Sequence, residues 1–143
     1  MKKRFWALLL TLCMLVSILP TAASAKDITG APDKDATWND GDVIPSAITL
    51  WGGETEEKTI TITVDGDVTV NGTINIVGYV RIVGGANGGR LVRGDSFTDK
   101  LIVIAQPTSG ETHATLENIT IDGNNVKTSE SAINVNYGTE LVI

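Results

Sequence analysis

His113 is the only histidine among the 143 residues, and it closes the polar run Ser109-Gly110-Glu111-Thr112-His113. A general base needs a proton within reach and a nucleophile to activate, and no nucleophile set adjoins this histidine. The run reads as an exposed loop. A structural zinc takes four nitrogen or sulfur ligands, which one histidine and the lone Cys13 cannot supply. Asp65 with Asp67, and Asp95 with Asp99, could offer calcium the hard oxygen ligands it takes, although such pairs are also ordinary in acidic turns. Paired carboxylates would serve glycoside hydrolysis. Asp122, however, meets only Asn134-Val135-Asn136 in the run that corresponds to it.

Gly84-Gly85-Ala86-Asn87-Gly88-Gly89-Arg90 lacks the Gly-Lys-Ser/Thr ending of a phosphate loop, and no helix-forming pattern comes after it as the dinucleotide fingerprint requires. It also lacks the aspartate of the calcium-binding nonapeptide. A flexible corner is the simpler reading. Asn71-Gly72-Thr73 and Asn118-Ile119-Thr120 match the glycosylation triplet, which is frequent by chance in Thr- and Asn-rich strands. No catalytic, cofactor-binding or metal-ligating residue is assigned, and calcium is the one cofactor left open.

The chain's beginning has a different character. Met1-Lys2-Lys3-Arg4 is basic, Phe5 to Leu19 is apolar, and Ala23-Ser24-Ala25 is a small-residue cleavage motif. Residues 1–25 therefore read as a secretory signal peptide, too short and wrongly flanked to span a membrane. Leu10-Thr11-Leu12-Cys13 only faintly resembles a lipobox, because Leu12 stands where a small residue belongs. Cleavage removes Cys13, so neither disulfides nor thiol chemistry remain. It also removes Lys2, Lys3 and Arg4 but no acid, moving the formal charge from −6 to −9. So acidic a chain, with scattered basic residues, is unsuited to nucleic acid. The expected location is extracellular or at the cell surface.

In the remaining 118 residues, 16 Thr, 14 Ile and 12 Val are β-branched, and all 15 glycines fall here. Side chains stiff at χ1 favour the pleated strand, and glycines between them supply turns. No stretch carries the apolar spacing of an amphipathic helix. The chain is expected to be all-β. Residues 26–56, rich in Asp, Gly and Pro, read as an irregular lead-in with one strand at Ile48-Thr49-Leu50-Trp51, able to cap the open end of the strands after it.

From residue 57 onward the pattern sharpens. Ile60, Ile62 and Val64 alternate with threonines, and Val68 with Val70, Ile74 with Ile76, and Val80 with Ile82 continue the series. Glycines fall at 66, 72, 78 and 84, a step of six. Thr69, Asn75 and Arg81 take the outward positions. Asn71-Gly72 is also a hairpin signal, in which case Val70 and Ile74 would be antiparallel neighbours. Short, equal strands repeated at a fixed step favour a wound stack over a sandwich. The six-residue step of a left-handed hexapeptide helix does not persist: Leu116 and Leu141 are 25 residues apart, and Ile102 and Ile133 are 31 apart. Unequal coils with loops at their corners fit a right-handed parallel β-helix, with about three to four coils over 57–143.

Residues 115–125, from Thr115 through Ile121-Asp122-Gly123, and residues 131–141, from Ser131 through Tyr137-Gly138 to Leu141, resemble the repeats of pectate-lyase-like right-handed β-helix proteins. The resemblance is nearest to the adhesin-like surface proteins of Gram-positive, gut-type bacteria and covers about 58–143. It implies a secreted or cell-surface β-solenoid, adhesin-like or structural, whose partners are host or environmental glycans or matrix. The alternative is the N-terminal part of a polysaccharide lyase or glycoside hydrolase. Lyases of that superfamily use an acidic calcium cluster and a basic residue, yet Arg81, Arg90 and Arg93 match no catalytic motif, so none is carried over. Asn118 reads either as part of an asparagine stack or as a solvated turn residue. Leu141-Val142-Ile143 stops within a strand without a polar cap. The expectation is a fragment whose own chain continues as further coils, with any wall anchor in that continuation.

Overall fold

A computed structural model describes residues 25–143; the expected signal peptide as far as Ser24, with Cys13, lies outside the described residues. Among those residues there is no α-helix, only a 3-10 turn at Glu56–Lys58 and eleven strands. The strands are β1 (Ala36–Asn39), β2 (Val43–Ile44), β3 (Ile48–Trp51), β4 (Ile60–Val70), β5 (Ile74–Val77), β6 (Tyr79–Arg93), β7 (Ile102–Ile104), β8 (Thr112–Glu117), β9 (Ile119–Asp122), β10 (Ile133–Val135) and β11 (Thr139–Val142). The all-β expectation holds.

Two sheets take these strands in turn. One runs β1-β4-β6-β8-β11, with β2 also on β4 and β9 also on β6; the other runs β3-β5-β7-β10. Every pairing between these strands is parallel. Parallel neighbours need a crossover between them, usually a helix. Here the crossover is a strand of the other sheet, as a β-branched chain without helix-forming segments dictates. Val70 stands beside Ile44 and Arg93, and Ile74 beside Ile48 and Ile102, so Asn71-Gly72 passes the chain between sheets and makes no hairpin.

The inward residues form one aliphatic core. Ile60, Ile62, Val64, Val68, Val70, Ile74, Ile76, Val80 and Ile82 are all buried, as the alternation predicts. Each buried side chain of this size contributes about 1.5–3 kcal/mol by leaving water. Ile133 pairs with Ile102, the 31-residue step read from the sequence. Leu141, by contrast, pairs with Ala114 rather than with Leu116. The loops 94–101, 105–111 and 123–132 lengthen the later layers between strands.

Residues 26–56 differ from the irregular lead-in expected of them. They contribute three strands, with β1 and β2 pairing β4 and β3 pairing β5, so the segment is a layer of the stack. Ala36 and Trp38 alternate with polar Thr37 and Asn39, a pattern too short to stand out. Ile28 is buried above β2, where its N–H donates to Val43 O at 2.7 Å.

One sheet bends at a register break. Val64 pairs Gly84, but Gly66 pairs Gly89, leaving 85–88 opposite the single Asp65. Gly66 takes φ 109, a conformation costly for any residue with a Cβ. Carboxylates secure the bend from layer to layer: Asp40 accepts from Asp67 N–H at 2.9 Å, and Asp65 accepts from Asn87 N–H at 2.8 Å and Asn87 Nδ2 at 3.0 Å. The glycine-rich run, read from sequence as a flexible corner loop, instead lies within β6 as the bulge that bends it.

Arg93 is the exception in the interior. It occupies an inward position opposite Val70 and is 2% exposed. Its guanidinium donates to Phe97 O at 3.1 Å and to Asp99 O, and lies 5.7 Å from the Phe97 ring centre. Carbonyl dipoles rather than a carboxylate compensate the charge and hold the loop after β6.

Truncation of the stack's centre should be costly. Ile82→Ala is expected to lower the unfolding free energy by about 2–5 kcal/mol in chemical denaturation, whereas the exposed Thr120→Ala should change it by about 0.5 kcal/mol or less.

Candidate functional site

Inward pairs fix which residues face out. Val80 and Ile82 inside β6 place Tyr79 and Arg81 outside; Ala114 and Leu116 inside β8 do the same for His113, Thr115 and Glu117. Parallel register then aligns residues from distant segments. Tyr79 pairs His113 and His113 pairs Glu140, setting three layers in a row.

His113 is thus not in a loop. It lies in β8 with its side chain 30% exposed, its ring stacked on Tyr79 at 4.4 Å between centres and 21° between planes. Its Nδ1 is 2.7 Å from a Glu140 oxygen, and its Nε2 is 3.0 Å from a Glu111 oxygen. Glu111 is the neighbour visible in sequence; Tyr79 and Glu140 come from elsewhere in the chain. The hydrogen bond that the ring donates to Glu111 holds the imidazole pKa above its ordinary 6.5, with Glu140 adding to the effect and partial burial opposing it. An imidazolium donates through both nitrogens, which matches two carboxylate partners. Both ring nitrogens are thus bonded to carboxylates, and the pair of bonds holds Glu111 and Glu140 beside the ring.

Next to this row, Arg81 is ion-paired with Glu117. A groove of about 500 Å³ runs between the turn at Glu56 and the row of Tyr79, His113 and Glu140. Around the corner lies a second cleft, of about 510 Å³, between Trp51 and the loop before β8. Ile48 and Leu50 point inward, so Trp51 at the end of β3 points out and is 63% exposed. The floor of this cleft is backbone. A Cβ on Gly52 would stand 2.1 Å from Tyr79 O, so only glycine lets β3 leave along β6. The far wall is pinned by buried Thr112, whose hydroxyl donates to Ala105 O at 2.9 Å and accepts from Gly78 N–H at 3.1 Å. Glu111 lines this cleft and also bonds His113, which lines the groove, so one hydrogen bond links the walls of two separate depressions.

The other residues singled out in sequence lie apart. Asp65 is engaged by Asn87, while Asp67 faces Arg90 Nε at 3.6 Å. Asp95 accepts from Asn124 Nδ2 at 2.8 Å, and Asp99 accepts from Lys100 N–H at 2.7 Å. Among the described residues, no three His, Cys, Asp or Glu side chains converge as metal ligands. The layer neighbour of Asp122 is corrected. Asn134 belongs to the other sheet, whereas Asp122 pairs Val92 and meets Arg90 at 3.2 Å, so Asp67 and Asp122 flank one guanidinium. Asn118 is exposed at φ 52 in the corner between β8 and β9, a solvated turn residue. The signal for the Trp51 cleft was present in sequence, since Leu50 inward requires Trp51 outward. The row through His113 was not legible, because it depends on register across long loops.

No family model matches the chain, and no curated protein or solved structure matches it either.

The pair of bonds at His113 has a pH signature. A raised folded pKa means that the contact stabilises fully below about pH 6.5 and is lost as pH rises through the folded value. In an NMR titration the His113 midpoint should lie above 6.5. Glu111→Gln should lower it most, and Glu140→Gln should lower it less.

Proposed function

We propose that this chain winds as a right-handed parallel β-helix and serves as a secreted, cell-surface, adhesin-like binding module rather than a catalyst. Alternation between two parallel sheets supports the winding, and crossovers between parallel strands are right-handed almost without exception. On this reading, residues 26–56 supply one coil and 57–143 the rest. The signal-peptide pattern of residues 1–25 supports export. The pectate-lyase-like resemblance carries the same proposal, with glycans or matrix as partners.

The observation that carries the binding role is the Trp51 cleft with the adjoining His113 groove. The cleft sets an exposed aromatic beside the Glu111 carboxylate, while the histidine of the neighbouring groove is bonded at both nitrogens. Aromatic rings beside a few placed polar groups suit recognition. The competing reading is the N-terminal part of a polysaccharide lyase or glycoside hydrolase. Its best candidate is the row Asp67, Arg90 and Asp122, where the arginine is already paired on both sides.

The test is to expose the secreted chain to arrayed glycans and extracellular matrix, and separately to pectin-type polymers with calcium. Retention on a glycan or matrix surface without release of shortened products is the expected result. Product release would overturn the binding-module reading in favour of the enzyme.

A further inference from the structure

Trp51 has no packing explanation. The described chain holds two tryptophans, of which Trp38 is 3% exposed within the core and Trp51 is 63% exposed at the mouth of a cleft. A large aromatic left in water beside a concavity marks a contact surface. The cleft is already shaped, with a glycine-backbone floor and a loop wall fastened by Thr112, so a ligand would pay little to order it.

The lining selects among ligands. Its charged side chains are Glu54 and Glu111, and no lysine or arginine lines it. Glu111 is held by His113 Nε2 at 3.0 Å. Thr55, Thr108 and Ser109 add hydroxyls that both donate and accept. A pyranose ring has an apolar C–H face that lies on an aromatic plane and a rim of hydroxyls that bonds carboxylates and alcohols. Its acidic counterpart, a uronate, would bring a like charge toward Glu54 and Glu111. A cleft of about 510 Å³ lies within the range of small-ligand sites.

We infer that the cleft beneath Trp51 is a subsite for an uncharged, short oligosaccharide and discriminates against acidic glycans. This rests on the binding-module reading and gives it a ligand class. Trp51 is the stacking platform, and Glu54 and Glu111 are hydrogen-bond acceptors for ring hydroxyls. His113, which does not line the cleft, positions Glu111.

The test is tryptophan fluorescence of the secreted chain titrated with neutral gluco-, galacto- and manno-tetrasaccharides, trigalacturonate and a glucosamine tetramer. Buried Trp38 serves as the silent background. At least one neutral sugar should shift the emission saturably, with trigalacturonate about tenfold weaker or undetectable. Trp51→Ala should weaken retention of that sugar by about tenfold or more, read by calorimetry, as loss of a central aromatic anchor does. Its melting temperature should be unchanged, and Trp51→Phe should restore part of the affinity.

Tighter binding of trigalacturonate or of the glucosamine tetramer would overturn the inference. So would neutral-sugar binding that survives Trp51→Ala. Retention of the chain on a glycan or matrix surface, undiminished by Trp51→Ala, would sink this subsite but leave the binding-module reading standing. Turnover of a polysaccharide would remove that reading itself.

Discussion

The structure depends on aliphatic side chains stacking in register through successive parallel layers. Ile48, Ile74, Ile102 and Ile133 form one such column; Ala36, Ile62, Ile82 and Leu116 form another. Parallel hydrogen bonding fixes each strand over the last, and a slip of one residue would turn every inward side chain to water. The columns and the ladders therefore enforce one another. Arg93 tests the rule. It takes an inward place, but only where the sheet ends and a loop can supply Phe97 and Asp99 carbonyls to its guanidinium.

A core satisfied by alternate residues leaves the others free. The outer face can carry any polar residue without weakening the interior, and register then sets residues from separate segments side by side. Tyr79, His113 and Glu140 meet in this way, as do Arg90 and its two aspartates. Exposed ion pairs of this kind contribute little to stability, about 0–1 kcal/mol each. What they do is hold side chains at defined places on a rigid surface. For Glu111 that matters, because its carboxylate borders a cleft.

The inward set was legible because it needs only period-two alternation, a local property. Ile60 through Ile82 show it without interruption, and Trp51 outward results from Leu50 inward. The lead-in was misread for a related reason: β1 offers only Ala36 and Trp38 as inward residues, and β2 is two residues long. Register was legible only in part. Ile133 over Ile102 emerged from spacing, but Leu141 over Ala114 did not, since the loops 94–101, 105–111 and 123–132 differ in length and nothing local fixes how far each carries the chain. His113 failed on the same ground. Its strand begins at Thr112, and the polar Ser109-Gly110-Glu111 before it masked the alternation within the strand.

Corner loops are where such a stack can vary without cost to its columns, since the strands they join are fixed by pairing above and below. The Trp51 cleft lies at one of these corners, between the turn after β3 and the loop before β8. Both walls belong to connections, yet both are tied to strands: Gly53 O accepts from Tyr79 N–H at 3.1 Å, and Thr112 spans Gly78 and Ala105. A loop anchored at both ends keeps its shape while its exposed residues change. That combination makes the corner, rather than the flat faces where charges already bond one another from layer to layer, the place where the proposed binding role would act.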